Sequence, residues 1–147
     1  MAKAFGIVNT SGNHIWVEGM QNYRPIGAFS FLGRYRVIDF SISNMSNSEI
    51  ERIQVFAGNN PRSLIEHLGI GRQYDINPKT GKLQILFSES HSKNDIYNTD
   101  IAAFYENLDS IQKMKEEYVV IAPSYMIFAM DFEKLLKRPD PAGRDNE

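Results

Sequence analysis

The sequence predicts an alternating α/β fold built on a parallel sheet. Short apolar runs predict four buried strands, and amphipathic or capped segments between them predict helices, so the two kinds of element alternate along the chain. The length of 147 residues suits about one domain. Helices are therefore expected on both faces of the sheet, and ligands are expected at the carboxyl ends of the strands.

Each strand is predicted from a run of apolar residues bounded by turn residues. The predicted strands cover residues 5–8, 52–57, 82–88 and 118–122. Residues 10–35 show no steady period and contain several glycines and a proline, so they predict a long ordered loop. Loops of that length inside a compact domain are commonly functional.

The helices are predicted from spacing and from capping residues. Ile38, Ile42 and Met45 are spaced for one helix face, and the polar residues of the opposite face are expected to satisfy backbone and buried polar groups. An Asn N-cap followed by Pro61 at the first helical position predicts a helix through residue 68. A short helix is predicted over residues 131–136.

The longest helix is predicted over residues 99–115. Its apolar residues follow the spacing of three and four that is typical of a buried stripe. They are Ile101, Phe104, Tyr105, Leu108, Ile111 and Met114. The whole stripe is expected in the core.

Composition favours neither nucleic acid nor a membrane as a partner. The formal net charge is −2, so no bulk positive field favours nucleic acid or an anionic membrane. No apolar stretch approaches the roughly 18 residues of a membrane span, and the first residues lack the apolar core of a signal peptide. With no cysteine in the chain, disulfides and thiolate chemistry are absent. The predicted location is the cytoplasm.

One long motif resembles a segment of a known family. The segment from Gly33 to Phe40 reads GRYRVIDF, and it resembles the G-[KR]-Y-R-[IV]-I-D-F segment of the glucose-1-phosphate adenylyltransferase family. Arg24-Pro25 resembles the Lys-Pro pair of that family, and SLIEHL at residues 63–68 resembles its S-L-I-x-H-[IL] helix. The resemblance covers roughly residues 4–136, in order and without large gaps.

The resemblance implies a Rossmann-like nucleotidyltransferase sheet with helices on both faces, and an incomplete one. Residues 1–136 would be the N-terminal part of that domain, and residues 137–147 would be a polar tail. The β-helix domain of the family is expected to be absent from this chain. The family makes ADP-glucose and pyrophosphate from ATP and glucose 1-phosphate, for glycogen or starch. Such a transfer needs backbone N–H groups and cations around the phosphates, and carboxylates that hold magnesium.

The chain departs from the family where that chemistry is expected. The family's G-G-x-G-x-R-L loop corresponds to residues 9–15, where only Gly12 is retained and His14 stands at the arginine. The magnesium-binding Asp of the family's S-G-D-H-I-Y segment corresponds to Tyr125. We therefore expect no catalytic residues, no metal ligands and no firmly bound cofactor, although the resemblance implies magnesium for the family.

Five residues remain candidates for ligand binding. They are Gly12, Arg24, Arg34, Arg36 and Asp100. For Arg36 the alternative is a pairing with Asp39 that fixes the loop. For Asp100 the alternative is a favourable charge at a helix N-terminus. The three histidines are not spaced as metal ligands.

Three functions stay open at this point. The first is a catalytically degenerate, regulatory-type subunit that works with a catalytic pyrophosphorylase subunit or with further copies of itself. The second is an active nucleotidyltransferase whose metal is held by Asp100 or by groups beyond residue 147. The third is a binding module that senses a nucleotide or sugar phosphate effector without any transfer.

Overall fold

The computed structural model describes residues 3–10, 18–19, 25–58, 61–87 and 100–137. The strands are β1 (Ala4–Asn9), β2 (Ser30–Phe31), β3 (Tyr35–Arg36), β4 (Arg52–Ala57), β5 (Lys82–Phe87) and β6 (Tyr118–Pro123). The α-helices are α1 (Val37–Asn47), α2 (Arg62–Leu68), α3 (Asp100–Glu106), α4 (Leu108–Gln112) and α5 (Phe132–Leu136). Among these helices none is long and apolar enough to cross a membrane.

Four strands form one parallel sheet in the order β5-β4-β1-β6. The chain builds outward from β1 to β4 and β5, then returns to place β6 on the other side of β1. The direction of winding therefore reverses between β1 and β6. The predicted parallel α/β fold is confirmed, and its four strands lie within one or two residues of the predicted bounds.

One face of the sheet is packed against α1, and we call it the α1 face. Apolar strand residues such as Val8, Val55 and Val120 lie in one cluster with Ile38 and Ile42 of the helix. Gly6 leaves room for the side chain of Met45, whose sulfur would lie 2.4 Å from a Cβ atom at that position. Burial, rather than the intrinsic propensity of its serines and asparagines, holds this helix.

The opposite face, which we call the α3 face, has a smaller core. Phe5, Ile7 and Phe56 pack there with Ala103 of α3. The single helix predicted over residues 99–115 is wrong, since the described part is two short helices separated by Asn107. The predicted stripe is also only partly correct. Phe104, Ile111 and Met114 pack against this core, whereas Ile101 and Tyr105 are 75% and 80% exposed.

Helix starts differ slightly from those predicted. Pro61 lies one residue before α2 as its N-cap, although its carbonyl already accepts a bond from the amide of Ile65. Helix α5 is capped by Asp131, whose carboxylate accepts from the amides of Glu133 and Lys134.

The loop predicted over residues 10–35 contains a short 3-10 helix (Ile26–Ala28) and the two-stranded ribbon of β2 and β3. The predicted tail, apart from its first residue, lies outside the described residues.

Candidate functional site at the carboxyl ends of β1 and β6

The sheet reverses its winding between the carboxyl ends of β1 and β6, and we call this position the crevice, after the cleft that parallel α/β sheets form there. Parallel α/β sheets bind their ligands at this position. Asn9 is the last residue of β1 and is in register with Pro123 of β6. Thr10 follows β1 directly, and Ser124 and Tyr125 follow β6. These five residues are all uncharged, so any charge at the crevice has to come from other segments.

Thr10 is hydrogen-bonded to the neighbouring strand of the sheet. Its backbone amide and its hydroxyl both donate to the carbonyl of Phe56, at 2.8 and 2.6 Å, and the residue is buried. That carbonyl lies at the end of the neighbouring strand, so Thr10 ties β1 to β4. The amide of Thr10 is therefore not available to a phosphate. Thr10 stands at the second glycine of the family's G-G-x-G-x-R-L loop, so this position is bonded within the sheet instead.

The end of β6 is closed by the loop that contains the short 3-10 helix. A Cβ atom at Gly27 would lie 3.2 Å from the Cβ of Ser124, so this loop packs directly on the strand end. Ser41 of α1 donates to the carbonyl of Pro123 at 2.5 Å. Ser124 is 1% exposed, and within the described part of the chain its hydroxyl has no hydrogen-bond partner.

Tyr125 stands where a magnesium carboxylate is expected from the family resemblance. It is half-buried and follows the packed Ser124. Mg²⁺ prefers carboxylate and phosphate oxygens, and neither Ser124 nor Tyr125 supplies one. Among the described residues no cluster of three or more acidic or histidine side chains is arranged to hold a metal. The described residues at this strand end do not fit a magnesium ion.

The two arginines of the GRYRVIDF motif differ in their surroundings. The guanidinium of Arg36 donates to the carbonyl of Ala28 at 2.7 Å and to the hydroxyl of Ser30 at 3.1 Å. Arg36 therefore fixes the loop, but through these groups rather than through an ion pair with Asp39. Arg34 lies at the ribbon tip, 5.9 Å from the centre of the Tyr35 ring, and has no ion pair with any described residue.

Asp39 is the centre of a buried polar network. One carboxylate oxygen accepts from the amide of Arg36 at 2.8 Å and caps α1. The other is bonded to the imidazole of His67, at 2.6 Å, and to the hydroxyl of Tyr74, at 2.5 Å. Burial raises the pKa of Tyr74 well above its ordinary value, and the hydrogen bond to Asp39 raises it further. The network joins α1, α2 and the short 3-10 helix Arg72–Tyr74.

The other predicted candidates are not brought together by the described residues. Gly12, His14 and Arg24 lie outside them. Asp100 is the first residue of α3, and its side chain is not described. The roles of Gly12, Arg24, Arg34 and Asp100 in ligand binding therefore stay predictions.

Sequence reasoning missed two features of this region. The first is the network of Asp39, His67 and Tyr74, because its members lie far apart in the chain. The second is the buried hydroxyl of Ser124, whose packing against Gly27 depends on how the loop folds back. For the network, the only signal in the sequence is the carboxylate of Asp39 at the otherwise apolar start of α1. For the buried hydroxyl of Ser124 the sequence gives no signal.

The fold and the crevice define an α/β domain of the nucleotide-binding type. The comparisons with known proteins make that class more specific. Residues 20–146 match the model of the family described as "Nucleotidyl transferase". The chain therefore belongs to the nucleotidyl transferase family.

Two kinds of relative are found. The chain is 31% identical over 141 residues to the "Glycogen biosynthesis protein GlgD" of Bacillus subtilis, which is 95% of this chain and 41% of that protein. It is 33% identical over 149 residues to the protein of the same name in Geobacillus stearothermophilus, which is 97% of this chain and 42% of that protein. It is also 36% identical over 129 residues to the "Glucose-1-phosphate adenylyltransferase" of Clostridium novyi, or 86% of this chain and 33% of the relative. The predicted resemblance is confirmed. The chain spans about two fifths or less of the length of these relatives.

Proposed function

We propose that this chain is part of a catalytically degenerate, regulatory-type subunit that acts beside a catalytic glucose-1-phosphate adenylyltransferase in glycogen synthesis. The observation that carries the proposal is Tyr125 at the carboxyl end of β6. Nucleotidyl transfer needs a carboxylate near this point to hold magnesium, and a phenol is a poor substitute. The commitment of the Thr10 amide to Phe56 supports the same conclusion at the neighbouring strand.

The setting of the proposal comes from the relatives. Proteins named for glycogen biosynthesis and proteins named for adenylyl transfer to glucose 1-phosphate both match this chain over most of its length. A subunit of this kind would work in the cytoplasm, as the sequence predicts. It would act through its contacts with the catalytic subunit, or with further copies of itself, and through a bound nucleotide or sugar phosphate.

The test is pyrophosphate release from ATP and glucose 1-phosphate by the full-length parent protein. Measured alone, the parent is expected to release none above background. Mixed with its catalytic partner, it is expected to shift the rate, the KM or the effector response of that partner. Clear release by the parent alone would contradict the proposal and favour an active enzyme. Binding of an effector without any change in the partner's kinetics would favour a sensing module.

A matched variant separates structure from chemistry at Tyr125. Tyr125→Phe keeps the ring and removes only the hydroxyl. We expect it to leave both the absence of turnover and the effect on the partner unchanged, because the hydroxyl does no chemistry in this proposal. If the parent releases pyrophosphate and Tyr125→Phe abolishes that release, Tyr125 is a catalytic residue and the proposal is wrong.

A further inference from the structure

A second site lies on the α3 face, at the opposite end of the sheet from the crevice. In β4 and β5, Arg52 is in register with Lys82 and Gln54 with Gln84. Residues in register on parallel strands point to the same face, so these four side chains form one polar strip. Farther along the same two strands the same face carries Phe56 and Leu86. The strip therefore interrupts an apolar face.

The polar strip lines a cavity of about 240 Å³, together with the turn Lys79–Gly81 and Met114. Three of the lining residues are cationic, namely Arg52, Lys79 and Lys82, and none is acidic. Arg52 pairs with Glu116 at 3.4 Å, whereas Lys79 and Lys82 form no ion pair within the described part of the chain. An adjacent cavity of about 330 Å³ is lined by four glutamates as well as by cations. Glu51 accepts a hydrogen bond from Thr80 of the lining at 2.7 Å, so the excess positive charge of the smaller cavity comes from Lys79 and Lys82.

Gln54 gives this cavity a second ligand-binding feature. It is 1% exposed in the middle of a central parallel strand, where an apolar residue is typical. Its side-chain nitrogen donates to the carbonyl of Ser110 at 3.4 Å, a long bond. Its side-chain oxygen is buried and has no hydrogen-bond partner among the described residues. Burying an amide oxygen in that state is destabilising, and a donor would satisfy it.

We propose that this cavity binds a small phosphate ester that carries a free hydroxyl group. The ammonium groups of Lys79 and Lys82 would hold the phosphate as charge-assisted donors. The hydroxyl would donate to the side-chain oxygen of Gln54. The cavity is smaller than the usual range for drug-sized ligands, about 300 to 1,000 Å³, so the ligand is a small one. Reaching the buried oxygen requires a lining side chain to shift, and Met114 is unbranched and adaptable.

This site is separate in position from the crevice, and binding to it does not depend on the proposed loss of catalysis. The crevice lies at the carboxyl ends of β1 and β6, and the cavity lies at the amino ends of β4 and β5. Binding here needs neither a catalytic partner nor turnover. It can therefore be measured directly, and a negative result leaves the pyrophosphate experiment unaffected.

The test is calorimetric titration of the 147-residue chain with glycerol 3-phosphate as the probe. Inorganic phosphate and glycerol serve as partial probes. At about 0.15 M salt, which weakens non-specific surface attraction, we expect saturable binding at one site. Glycerol 3-phosphate should bind with a Kd of about 0.1–1 mM, with inorganic phosphate weaker and glycerol undetectable.

Three variants with a matched control locate the site. Lys79→Gln and Lys82→Gln should each weaken binding of glycerol 3-phosphate about tenfold. Gln54→Leu should remove the preference for glycerol 3-phosphate over inorganic phosphate and keep the binding of phosphate. Lys134→Gln is the control, because it makes the same charge change on an exposed residue of α5 outside the cavity.

Three outcomes would overturn the proposal. They are the absence of saturable binding up to about 10 mM probe, equal binding by wild type and both lysine variants, and equal weakening by Lys134→Gln. The last result would mean that net charge alone attracts the anion. Urea unfolding of each variant is measured in parallel. Lys79 and Lys82 are exposed, so their variants are expected to fold as the wild type does.

Discussion

The two faces of the central sheet are packed to different degrees. On the α1 face the strand residues and the helix residues form one continuous cluster, and Ile38, Ile42 and Met45 are fully buried. On the α3 face four apolar residues are buried together, whereas Val119 and Ile121 of β6 are 44% and 50% exposed. The α3 face also contains the polar strip and the partly unsatisfied Gln54.

This difference shows that similar apolar spacing does not mean similar burial. Helix α1 and the α3–α4 segment both carry residues at the spacing of an amphipathic helix. The first is packed on the sheet, and the side chain of its Met45 fills the space above Gly6. The second is broken at Asn107 and leaves Ile101 and Tyr105 in solvent. We infer that burial on the α1 face supplies most of the stability of the fold. The α3 face can contain polar groups, such as Gln54, that do not stabilise it.

The largest effect on stability is expected when a buried side chain of the α1 face is shortened, which creates a new cavity. Ile42→Ala should lower the free energy of unfolding by about 2–5 kcal/mol, because a fully buried side chain is removed and its neighbours relax only in part. Urea denaturation followed by far-UV circular dichroism measures this. The matched control is Ile101→Ala on the α3 face, where the change should stay within about 0.5 kcal/mol. Equal losses in the two variants would contradict the proposed division between the faces.

Much of this fold could be predicted from the sequence, because short apolar runs with clear turn residues report buried strands directly. Strand β4 was predicted with its observed bounds for that reason. The helix over residues 99–115 was not predicted correctly. Periodicity predicts which residues share a helix face, but not whether other residues cover that face. It therefore predicted burial equally for Phe104 and Tyr105. The break at Asn107 also lacked a glycine or proline signal.

The candidate site was less predictable than the fold. The substitution at Tyr125 was visible in the sequence because it lies within a short local motif. Hydrogen bonds between distant segments were not visible, and the bond from Thr10 to Phe56 spans 46 positions. The pairing of Gln54 with Gln84 depends on strand register, which single-sequence reasoning did not assign. Lys79 and Lys82 look like ordinary surface lysines until that register is known.

A smaller effect on the α1 face is expected from alkaline pH. Tyr74 belongs to that core, and burial, followed by its hydrogen bond to Asp39 and the charge of that carboxylate, raises its pKa. A raised pKa means that the folded state favours the neutral phenol. The resulting stability is fully present below the pKa of the unfolded chain, about 10, and is lost progressively as the pH rises above it.

The measurement compares wild type with Tyr74→Phe by urea unfolding between about pH 9.5 and 11. Over this window wild type should lose about 1 kcal/mol more than the variant, because other titrating groups are common to both. Parallel loss in the two proteins would mean that Tyr74 ionises in the folded state as easily as in the unfolded chain. That result would contradict the picture of a closed α1 face.

The smallest effect is expected on the α3 face, and it has the opposite sign. Gln54→Leu replaces a buried amide, which has one long hydrogen bond and one unpartnered oxygen, with an apolar side chain of similar size. We expect the free energy of unfolding to rise by about 0.5 kcal/mol, because the unsatisfied group disappears and little bonding is lost. Gln84→Leu, at the adjacent and partly exposed position, should change the free energy of unfolding by less.

If Gln54→Leu raises the free energy of unfolding, stability does not explain the presence of the glutamine. Ligand binding in the cavity is then the reason that we propose. A loss of about 2 kcal/mol would mean that Gln54 is an ordinary structural residue, held by Ser110, and that the α3 face resembles the α1 face after all.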